Sequence, residues 1–348
     1  MKIIVYPADD QGCGHYRMIL PALALAEQGH DVHIDQTGSI LNDALVKQPK
    51  DDPSAPWEIM GVKDLPEADV VVLQRPSHPA LEASIRYLRK QGIQVVVDID
   101  DRFDAIPTKN MAYEYYSGPN LKHLLRAIDA ATVVTCSTPD LVALHNGVLI
   151  NNCIPKCYLD IADNHDDVIG WSGTILVHGD DLAVGGAGVG KAVRDSGWNF
   201  RVVGQKAGVQ RELGLSEEPE ETGWLPLGDY ALQVAKLGIG IAPLVDNRFN
   251  RSKSWLKALE YGALGVPCVT SPLPEYERLG IGLRAGNQRQ WRGALMALTR
   301  DPAMREDLRL AGRAAARQWT FEGNVDKWAE VWENPEAARQ TLERTSFS

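Results

Sequence analysis

Two lysines and a glutamate stand at helical spacing in the stretch "FNRSKSWLKALEYGALGVPCVTS", residues 249 to 271. Lys253, Lys257 and Glu260 occupy positions i, i+4 and i+7, which places them on one stripe of a predicted helix. Asn250 and Ser252 precede the stripe and are of the types that cap helices. The two lysines can bind an anion, and the glutamate two turns along can accept hydrogen bonds from a neighbouring group that is rich in hydroxyls.

A helix beginning here offers an anion its free backbone N–H groups and the positive end of its dipole, which suits a diphosphate. Four basic side chains can add full charges: Arg248, Arg251, Lys253 and Lys257. Glu260 can accept hydrogen bonds from ribose hydroxyls, as acidic residues do in dinucleotide sites. A solvated stripe with a weak Lys257–Glu260 pair is the alternative that helix geometry leaves open.

The composition is that of an ordinary globular protein, with 348 residues, 44% hydrophobic and 24% charged. This length favours two domains, each able to bury its own core. A net charge of −10 disfavours a broadly basic nucleic-acid-binding surface, although a local basic cleft remains compatible with it.

The five cysteines are scattered, which indicates reduced thiols in a cytoplasmic protein. Cys153 and Cys157 form C-x3-C without a second pair at zinc-ligand spacing, so no metal site is expected. The opening "MKIIVYPADDQGCG" has too short an apolar run for a signal peptide or a membrane span.

Short apolar runs alternate with amphipathic helical stretches twice along the chain. In the first half the predicted strands are "KIIVYP", "DVHID", "ADVVVLQ", "IQVVVDID" and "AATVVTC". In the second half they are "DVIGWSGTILVHG", "NFRVVG", "ETGWLPLG", "LGIGIAPLV" and "VPCVTS". Near-continuous Val/Ile runs between helices indicate parallel sheets covered on both faces. The predicted fold class is α/β, with two Rossmann-like domains facing across a cleft.

The predicted boundaries are residues 1–150 for the N-terminal domain, 151–165 for a linker, 166–322 for the C-terminal domain and 323–348 for terminal helices and a tail. Ligands of open α/β sheets bind at the carboxyl ends of the strands. The stretch 249–271 directly follows the strand "GIGIAPLV", so it is expected at the cleft.

The first predicted strand leads into "GCGHYR", which opens a helix. Gly12 and Gly14 permit a tight turn, and Arg17 can direct a cation at the cleft. The dinucleotide pattern G-x-G-x-x-G fails because Arg17 takes its third glycine position, which disfavours a dehydrogenase. His15 is a candidate general base, with a polar loop residue as the alternative.

The first strand of the second domain leads into "GWSG", residues 170 to 173, where Gly173 permits close approach of a ligand. His178 follows within reach and is a candidate contact for sugar or phosphate. Asp180 and Asp181 are interpreted as helix-cap residues. "GGAGVGK", residues 185 to 191, is not interpreted as a P-loop, because Ala192 stands where a magnesium-binding hydroxyl is needed.

"SWLKALEYGALGVPCVTS" resembles the nucleotide-sugar-binding segment of GT-B-fold glycosyltransferases, in the form used by bacterial and phage enzymes. "IGWSGTILVHGDDL", "VVVDIDDRFDAIP" and "GCGHYR" also resemble elements of that family, so the resemblance covers most of the chain. It implies that Glu260 binds the ribose and that Lys253 with its neighbouring backbone binds the diphosphate. No obligatory cofactor or metal is implied, and a UDP-sugar is the expected co-substrate.

The predicted site falls into three sets of residues. The donor-binding set is Gly173, His178, Asn250, Ser252, Lys253, Ser254, Lys257 and Glu260. The catalytic set is His15, Asp100, Asp101 and Lys253. The acceptor-side set is Gly12, Gly14, Arg17 and Asp98.

Asp98 and Asp100 also form D-x-D after an apolar strand, the pattern by which GT-A glycosyltransferases hold a divalent metal. That alternative leaves the second Rossmann-like half and the Lys/Glu helix unexplained. In the GT-B interpretation, Asp98, Asp100 or Asp101 orients or deprotonates an acceptor hydroxyl. Capping of the next turn is the structural alternative.

The chain departs from the E-x7-E pattern of the family, because Ser252 stands eight residues before Glu260. The first glutamate of that pattern lies near the transferred sugar, and Asn250 or Asp246 are its candidate substitutes. A catalytically silent nucleotide-sugar-binding protein is therefore the alternative to a transferase. The acceptor stays open among protein, glycan and modified nucleic-acid base.

Overall fold

The computed structural model describes residues 1–35, 44–47, 58–62, 67–162 and 164–346. The chain splits into two compact units, each built from discontinuous segments. The N-terminal unit comprises Met1–Asp104, Glu114–Asn152 and Phe321–Ser348, and the C-terminal unit comprises Ala105–Tyr113 and Cys153–Thr320.

The strands follow in chain order through the two units. In the N-terminal unit they are β1 (Lys2–Tyr6), β2 (Asp31–Ile34), β3 (Ala44–Lys47), β4 (Glu58–Val62), β5 (Val70–Gln74), β6 (Gln94–Ile99), β7 (Val133–Cys136) and β8 (Val148–Leu149). In the C-terminal unit they are β9 (Val168–Gly173), β10 (Asn199–Gly204), β11 (Glu220–Glu221), β12 (Ile239–Ala242), β13 (Cys268–Thr270) and β14 (Leu283–Arg284).

The helices before residue 200 are α1 (Gly12–Gly14), α2 (Leu20–Glu27), α3 (Leu81–Lys90), α4 (Tyr113–Tyr116), α5 (Pro119–Ala130), α6 (Pro139–His145), α7 (Ile175–His178) and α8 (Gly186–Ser196). The later ones are α9 (Val209–Leu213), α10 (Leu227–Val234), α11 (Arg248–Arg251), α12 (Leu256–Ala263), α13 (Pro274–Leu279), α14 (Gln288–Arg300), α15 (Pro302–Ala316), α16 (Phe321–Glu333) and α17 (Pro335–Ser346). A π-helical segment, His15–Ile19, joins α1 to α2. Short 3-10 turns span Phe103–Ala105, Lys156–Asp160, Asp181–Val184 and Arg317–Trp319.

The N-terminal unit is built on a parallel sheet with strand order β2-β1-β5-β6-β7-β8. The central strand β5 is buried along its whole length. Such continuous apolar strands are expected where helices cover both faces of a parallel sheet. α16 packs on α2, and α17 lies against β6, β7 and β8, so the end of the chain belongs to this unit. β3 and β4 form a separate antiparallel pair.

The C-terminal unit is built on a second parallel sheet, with strand order β11-β10-β9-β12-β13-β14. Its core gathers Trp171 from β9, Ile241 from β12 and Trp291 from α14, all at most 1% exposed. The strand order reverses between β9 and β12, so the sheet has a topological switch point there. The prediction of two Rossmann-like α/β halves is confirmed.

Two predicted strands of the C-terminal unit are wrong in extent. "DVIGWSGTILVHG" is a strand only to Gly173, because Thr174 then caps α7 by accepting from the N–H of Leu176. "ETGWLPLG" contributes only its first residue to β11. Gly223 there has a φ of 70°, and Pro226, which lacks an N–H, precedes α10.

The glycines of "GGAGVGK" lie in and next to α8, where they allow close contact with other elements. A Cβ on Gly188 would lie 2.1 Å from the carbonyl oxygen of Gln288, and one on Gly190 would lie 2.2 Å from that of Gly214. Helix packing therefore accounts for this glycine pattern. In the part of the chain that the structure describes, no helix is long and apolar enough to cross a membrane.

Candidate functional site

Polar side chains gather where β9 and β12 end in the C-terminal unit. Lys257 of α12 reaches back to Ser172 on β9, and Asp181 accepts from the backbone N–H of Val245 after β12 at 3.0 Å. Ligands of open α/β sheets bind outside the carboxyl ends of the strands at such a switch point. We name this the β9/β12 cluster; it consists of Ser172, His178, Asp181, Tyr230, Asn250, Lys257 and Glu260.

Lys257 is a cation held inside the cluster. Its Nζ donates to the carbonyl oxygen of Ser172 and, at 3.1 Å, to the Ser172 hydroxyl. Burial lowers the pKa of Lys257 from its ordinary 10.5 to about 8, and neighbouring Glu260 acts in the opposite direction. The ammonium form therefore predominates at neutral pH, and a bound anion would stabilise it further.

Glu260 lies three residues after Lys257 on α12 and is 4% exposed. Its Oε2 accepts a hydrogen bond from the hydroxyl of Tyr230 at 2.9 Å. Burial raises the pKa of Tyr230 well above its ordinary value, and the nearby Glu260 carboxylate raises it further. The tyrosine therefore keeps its proton and orients the carboxylate as a neutral donor.

His178, Asp181 and Asn250 form a hydrogen-bonded chain. Asp181 Oδ2 lies 3.0 Å from His178 Nδ1, and Asp181 Oδ1 accepts from Asn250 Nδ2 at 2.6 Å as well as from Val245. The interpretation of Asp180 and Asp181 as helix-cap residues is wrong. Asp180 stands at the N-cap position of the 3-10 turn, but its side chain makes no cap hydrogen bond and pairs with Lys109. The Asp181 carboxylate bonds His178, Val245 and Asn250 and caps no helix.

His178 is a neutral imidazole at neutral pH. Burial lowers its pKa to about 4; the hydrogen bond to Asp181 opposes this, and the charges of Lys257 and Lys253 add to it. Because Nδ1 faces a carboxylate, it carries the ring proton, and Nε2 is left as an acceptor. The histidine thus presents a neutral acceptor in a cluster that also holds cations.

The helix predicted to begin near Asn250 and Ser252 is divided in two. Asn247 caps α11 by accepting from the N–H of Asn250 at 2.8 Å, and α12 begins only at Leu256. The prediction that Lys253 shares a helical stripe with Lys257 and Glu260 is therefore wrong. Lys253 lies in the turn between the helices, which closes because its N–H donates to the Asn250 carbonyl at 3.1 Å.

The same turn holds the other predicted donor-side residues. Ser252 is fully buried and donates its hydroxyl to the carbonyl oxygen of Arg248 at 3.2 Å. Ser254 is half-buried beside it. Lys253 Nζ lies 4.4 Å from the ring centroid of Phe249. The position eight residues before Glu260 thus carries an uncharged hydroxyl directed at its own backbone.

Gly173 ends β9 next to the cluster and has a φ of 150°. A Cβ there would lie 2.9 Å from the Trp171 ring and 3.3 Å from the His178 ring. Side chains rarely adopt this backbone conformation, so glycine lets the chain turn directly from β9 toward His178.

In the N-terminal unit, the structure brings together Arg17 and Asp98, both 1% exposed. Arg17 Nε and Nη2 donate to the two oxygens of Asp98 at 3.0 and 2.6 Å. Arg17 Nη1 donates to the Ile150 carbonyl and to Asn152, and Asp98 Oδ1 also accepts from Thr135. This buried network ties the π-helical segment His15–Ile19 to β6, to β7 and to the residues that follow β8.

Asp100 belongs to a second ion pair at the strand ends of that sheet. Arg75 lies between Asp9 and Asp100, with N···O distances of 3.1 Å to each. Arg75 has a φ of 49°, a conformation uncommon for residues other than glycine and enriched at functional sites. Asp101 follows at the surface of the unit and is half-buried.

The "GCGHYR" motif folds around Asp9. The N–H of Gly14 donates to Asp9 Oδ1 at 2.9 Å, and a Cβ on Gly14 would lie only 1.8 Å from the Asp9 carbonyl oxygen. Gly12 has open space around it. His15 Nδ1 donates to the Gln11 carbonyl at 2.8 Å, which leaves Nε2 as the basic nitrogen of the neutral ring.

Tyr230, Ser172 and Arg75 were not predicted as site residues from the sequence. Tyr230 gave no local signal, because a tyrosine on an amphipathic helix is normally a packing residue. Arg75 and Ser172 each stand at or next to the carboxyl end of a predicted strand, and that position could have indicated a role in ligand binding. Segment 105–113, which belongs to the C-terminal unit, was also missed; Asn110 and Met111 bond to the carbonyls of Val177 and Leu176 there.

Comparison with known proteins identifies the fold. HepE of Anabaena, solved with UDP, is 14% identical and superposes with a TM-score of 0.60 over 96% of this chain and all of HepE. AviGT4, a glycosyltransferase of avilamycin A biosynthesis, is 14% identical with a TM-score of 0.62, covering 97% of this chain and 98% of its own. A glycosyltransferase from Rickettsia africae is 12% identical with a TM-score of 0.63, covering 96% and 98%.

The chain has the GT-B fold. No protein-family model and no curated protein sequence matches it. The GT-B fold does not favour the metal-dependent GT-A alternative, and both oxygens of Asp98 are occupied by Arg17. Within the described residues, no three His, Cys, Asp or Glu side chains come together as a metal site.

Proposed function

We propose that this GT-B protein is a glycosyltransferase that moves a sugar from a nucleoside diphosphate sugar to an acceptor hydroxyl. The observation that carries the proposal is the β9/β12 cluster, where the half-buried Lys257 cation and the buried Glu260 carboxylate lie one helical turn apart. HepE, which shares the fold, has been solved with UDP and with UDP-glucose. A UDP-sugar is therefore the donor to test first.

The two ends of the donor need opposite charges from the protein. Lys257, held on Ser172, and Lys253 in the adjacent turn offer positive charge to the diphosphate. Glu260 can accept hydrogen bonds from the ribose hydroxyls, since Tyr230 already orients its carboxylate. A cation and an anion on one turn of α12 would thereby bind the nucleotide in a single direction.

The reaction breaks the bond between the anomeric carbon and the diphosphate oxygen and joins that carbon to the acceptor oxygen. The electron pair of the broken bond stays on the diphosphate, so negative charge grows there as the sugar leaves. Lysines fixed in place beforehand stabilise that charge more in the transition state than in the bound donor. The acceptor proton goes to a base, for which we propose His15, Asp100 or Asp101 of the N-terminal unit.

Replacing Glu260 with glutamine is expected to weaken binding of the nucleoside diphosphate by about 1–3 kcal/mol, the scale of charge-assisted hydrogen bonds. The amide keeps the shape of the side chain but loses one acceptor and the charge. Titration calorimetry with UDP, GDP and ADP measures the loss against the parent protein. A further test is hydrolysis of UDP-glucose, which separates a transferase from a silent binding protein.

Glu275→Gln is the matched control for this experiment. Glu275 is also a buried carboxylate of the C-terminal unit, 5% exposed, and it pairs with Arg278 on α13. Its replacement should leave nucleotide affinity within about twofold, because no nucleotide contact is proposed for it. Unchanged affinity in Glu260→Gln, or equal losses in both variants, would remove Glu260 from the site.

Nucleoside diphosphate affinity is expected to fall as the pH rises above about 8, because Lys257 then loses its proton. The affinity falls by up to about tenfold per pH unit. The fall stops at the pKa that Lys257 has in the complex, which is higher because the bound anion stabilises the ammonium form. Calorimetry from pH 7 to 9.5 on the parent and on Lys257→Met measures this fall in affinity. Protonation changes of the nucleotide itself affect both proteins equally, so they cancel in the comparison. A fall of the same size in Lys257→Met would contradict the assignment.

The effect of Lys257 on stability has the opposite sign. Its folded pKa of about 8 lies below the ordinary 10.5, so between these values the unfolded chain binds more protons than the folded one. Its contribution to the free energy of unfolding therefore rises with pH across that window. Loss of affinity there reflects loss of the cation and not loss of the fold.

A further inference from the structure

One acceptor atom inside the β9/β12 cluster is left without a hydrogen-bond donor. Asn250 is 2% exposed, and its Nδ2 donates to Asp181 Oδ1 at 2.6 Å and to the Val245 carbonyl at 3.0 Å. Both partners accept, which fixes the amide with Oδ1 turned away from them. No hydrogen bond to this oxygen is formed by the residues that the structure describes. A buried acceptor in this state is stabilised when a donor reaches it.

Asn250 lines a small cavity of about 60 Å³. Its walls include Asn250, His178, Gly179, Asn110, Val245 and Phe249. Phe249 also contacts Lys253, whose Nζ lies 4.4 Å from the ring centroid. Lys253, which we propose to hold the diphosphate, therefore contacts a residue that lines the cavity.

His178 also lines this cavity and carries a second acceptor. Its Nδ1 donates to Asp181 Oδ2 at 3.0 Å, so the lone pair lies on Nε2. Asp181 receives hydrogen bonds from both His178 and Asn250, which fixes the ring and the amide relative to each other. The two acceptors are thus positioned in advance by one carboxylate.

We propose that Asn250 Oδ1 and His178 Nε2 select the transferred sugar by accepting hydrogen bonds from its hydroxyl groups, an inference that rests on the proposed function. Ionised phosphates and carboxylates have no hydrogen to donate. Ammonium groups can donate, but Lys253 and Lys257 repel them. A sugar hydroxyl is a neutral donor and meets both conditions.

The test uses UDP-glucose, UDP-galactose and UDP-N-acetylglucosamine, together with their deoxy and deoxyfluoro analogues, in binding assays with the parent protein. Analogues modified at the hydroxyl that donates to Asn250, whether deoxy or deoxyfluoro, should bind at least about tenfold more weakly than the parent UDP-sugar. Fluorine cannot donate a hydrogen bond, so it cannot replace a donating hydroxyl. At a position where the sugar hydroxyl only accepts a hydrogen bond, the deoxyfluoro analogue should keep part of the affinity.

The Asn250→Leu variant should lose this discrimination, so that its affinity for each deoxy analogue stays within about threefold of its own affinity for the matching UDP-sugar. Asn110→Leu is the matched control, because Asn110 lines the same cavity but has both ends of its amide occupied, by the Val177 carbonyl and the Ala112 N–H. Discrimination should persist in that variant. If Asn250→Leu does not fold, the analogue series on the parent protein still decides the question.

Equal affinity for every analogue would overturn this inference, as would discrimination that survives in Asn250→Leu. Binding of UDP with no binding of the three UDP-sugars would also overturn it, because the cavity would then not take a sugar. Absence of binding by UDP, GDP and ADP to the parent would instead overturn the proposed function, and the inference with it.

Discussion

Replacing Arg17 with methionine is expected to lower the free energy of unfolding by about 3–5 kcal/mol, because the Asp98 charge would be left buried without its partner. Both side chains are 1% exposed, and Arg17 covers both carboxylate oxygens. The Ile150 carbonyl and Asn152 would lose a donor as well. Urea unfolding, followed by circular dichroism, measures the change.

The double variant Arg17→Met with Asp98→Leu should recover most of the loss, since an apolar pair leaves no buried charge. Arg86→Met is the control, because Arg86 is exposed and pairs with Glu82 on the surface of α3. Its loss should stay within about 0.5 kcal/mol. A double variant as unstable as Arg17→Met alone would show that the cost does not come from the unpaired carboxylate.

Replacing Lys253 with alanine is expected to lower kcat for UDP-glucose hydrolysis or transfer by about 10²–10³. Charge on the diphosphate grows as the sugar leaves, so a cation beside it contributes most in the transition state. Affinity for UDP should fall less, and affinity for uridine should stay near that of the parent. Steady-state kinetics and calorimetry on one protein preparation measure all three quantities.

Arg251→Ala is the matched control for Lys253→Ala. Arg251 is a cation only two residues away, but it is exposed and pairs with Asp246 at the surface. Its replacement should change kcat by less than about twofold. Equal proportional losses for uridine and UDP in Lys253→Ala would contradict a role at the diphosphate.

Apolar runs of the sequence were enough to predict the central strands of both sheets. A strand covered on both faces must be apolar at every position, so β5 and β6 are visible as local patterns. The edge strands β8, β11 and β14 have two residues each and leave no such pattern. "ETGWLPLG" was wrongly predicted as a strand because it is rich in apolar residues. Those residues lie in a loop and at the start of α10.

Helical spacing predicted Lys257 and Glu260 on one helix but placed Lys253 on it wrongly. The turn at residues 252–255 depends on Asn247 capping α11 and on hydrogen bonds back to Phe249 and Asn250, and periodicity carries no information about them. The resemblance to GT-B glycosyltransferases named the fold correctly. The roles of His15, Asp100 and Asp101 stay predictions.

The sequence by itself determined the two α/β halves and the segment that carries Lys257 and Glu260, because burial and helical spacing act between residues close along the chain. Only the tertiary structure decided which charges are available to a ligand. Arg17 and Asp98 have the residue types of a site, yet they neutralise each other across 81 positions in the interior. Asn250 and Tyr230 had ordinary local surroundings, yet Asp181 and Glu260 give them their orientation from 69 and 30 positions away. Such pairings are set by strand order and by helices packing on the sheet, so no short stretch of sequence contains them.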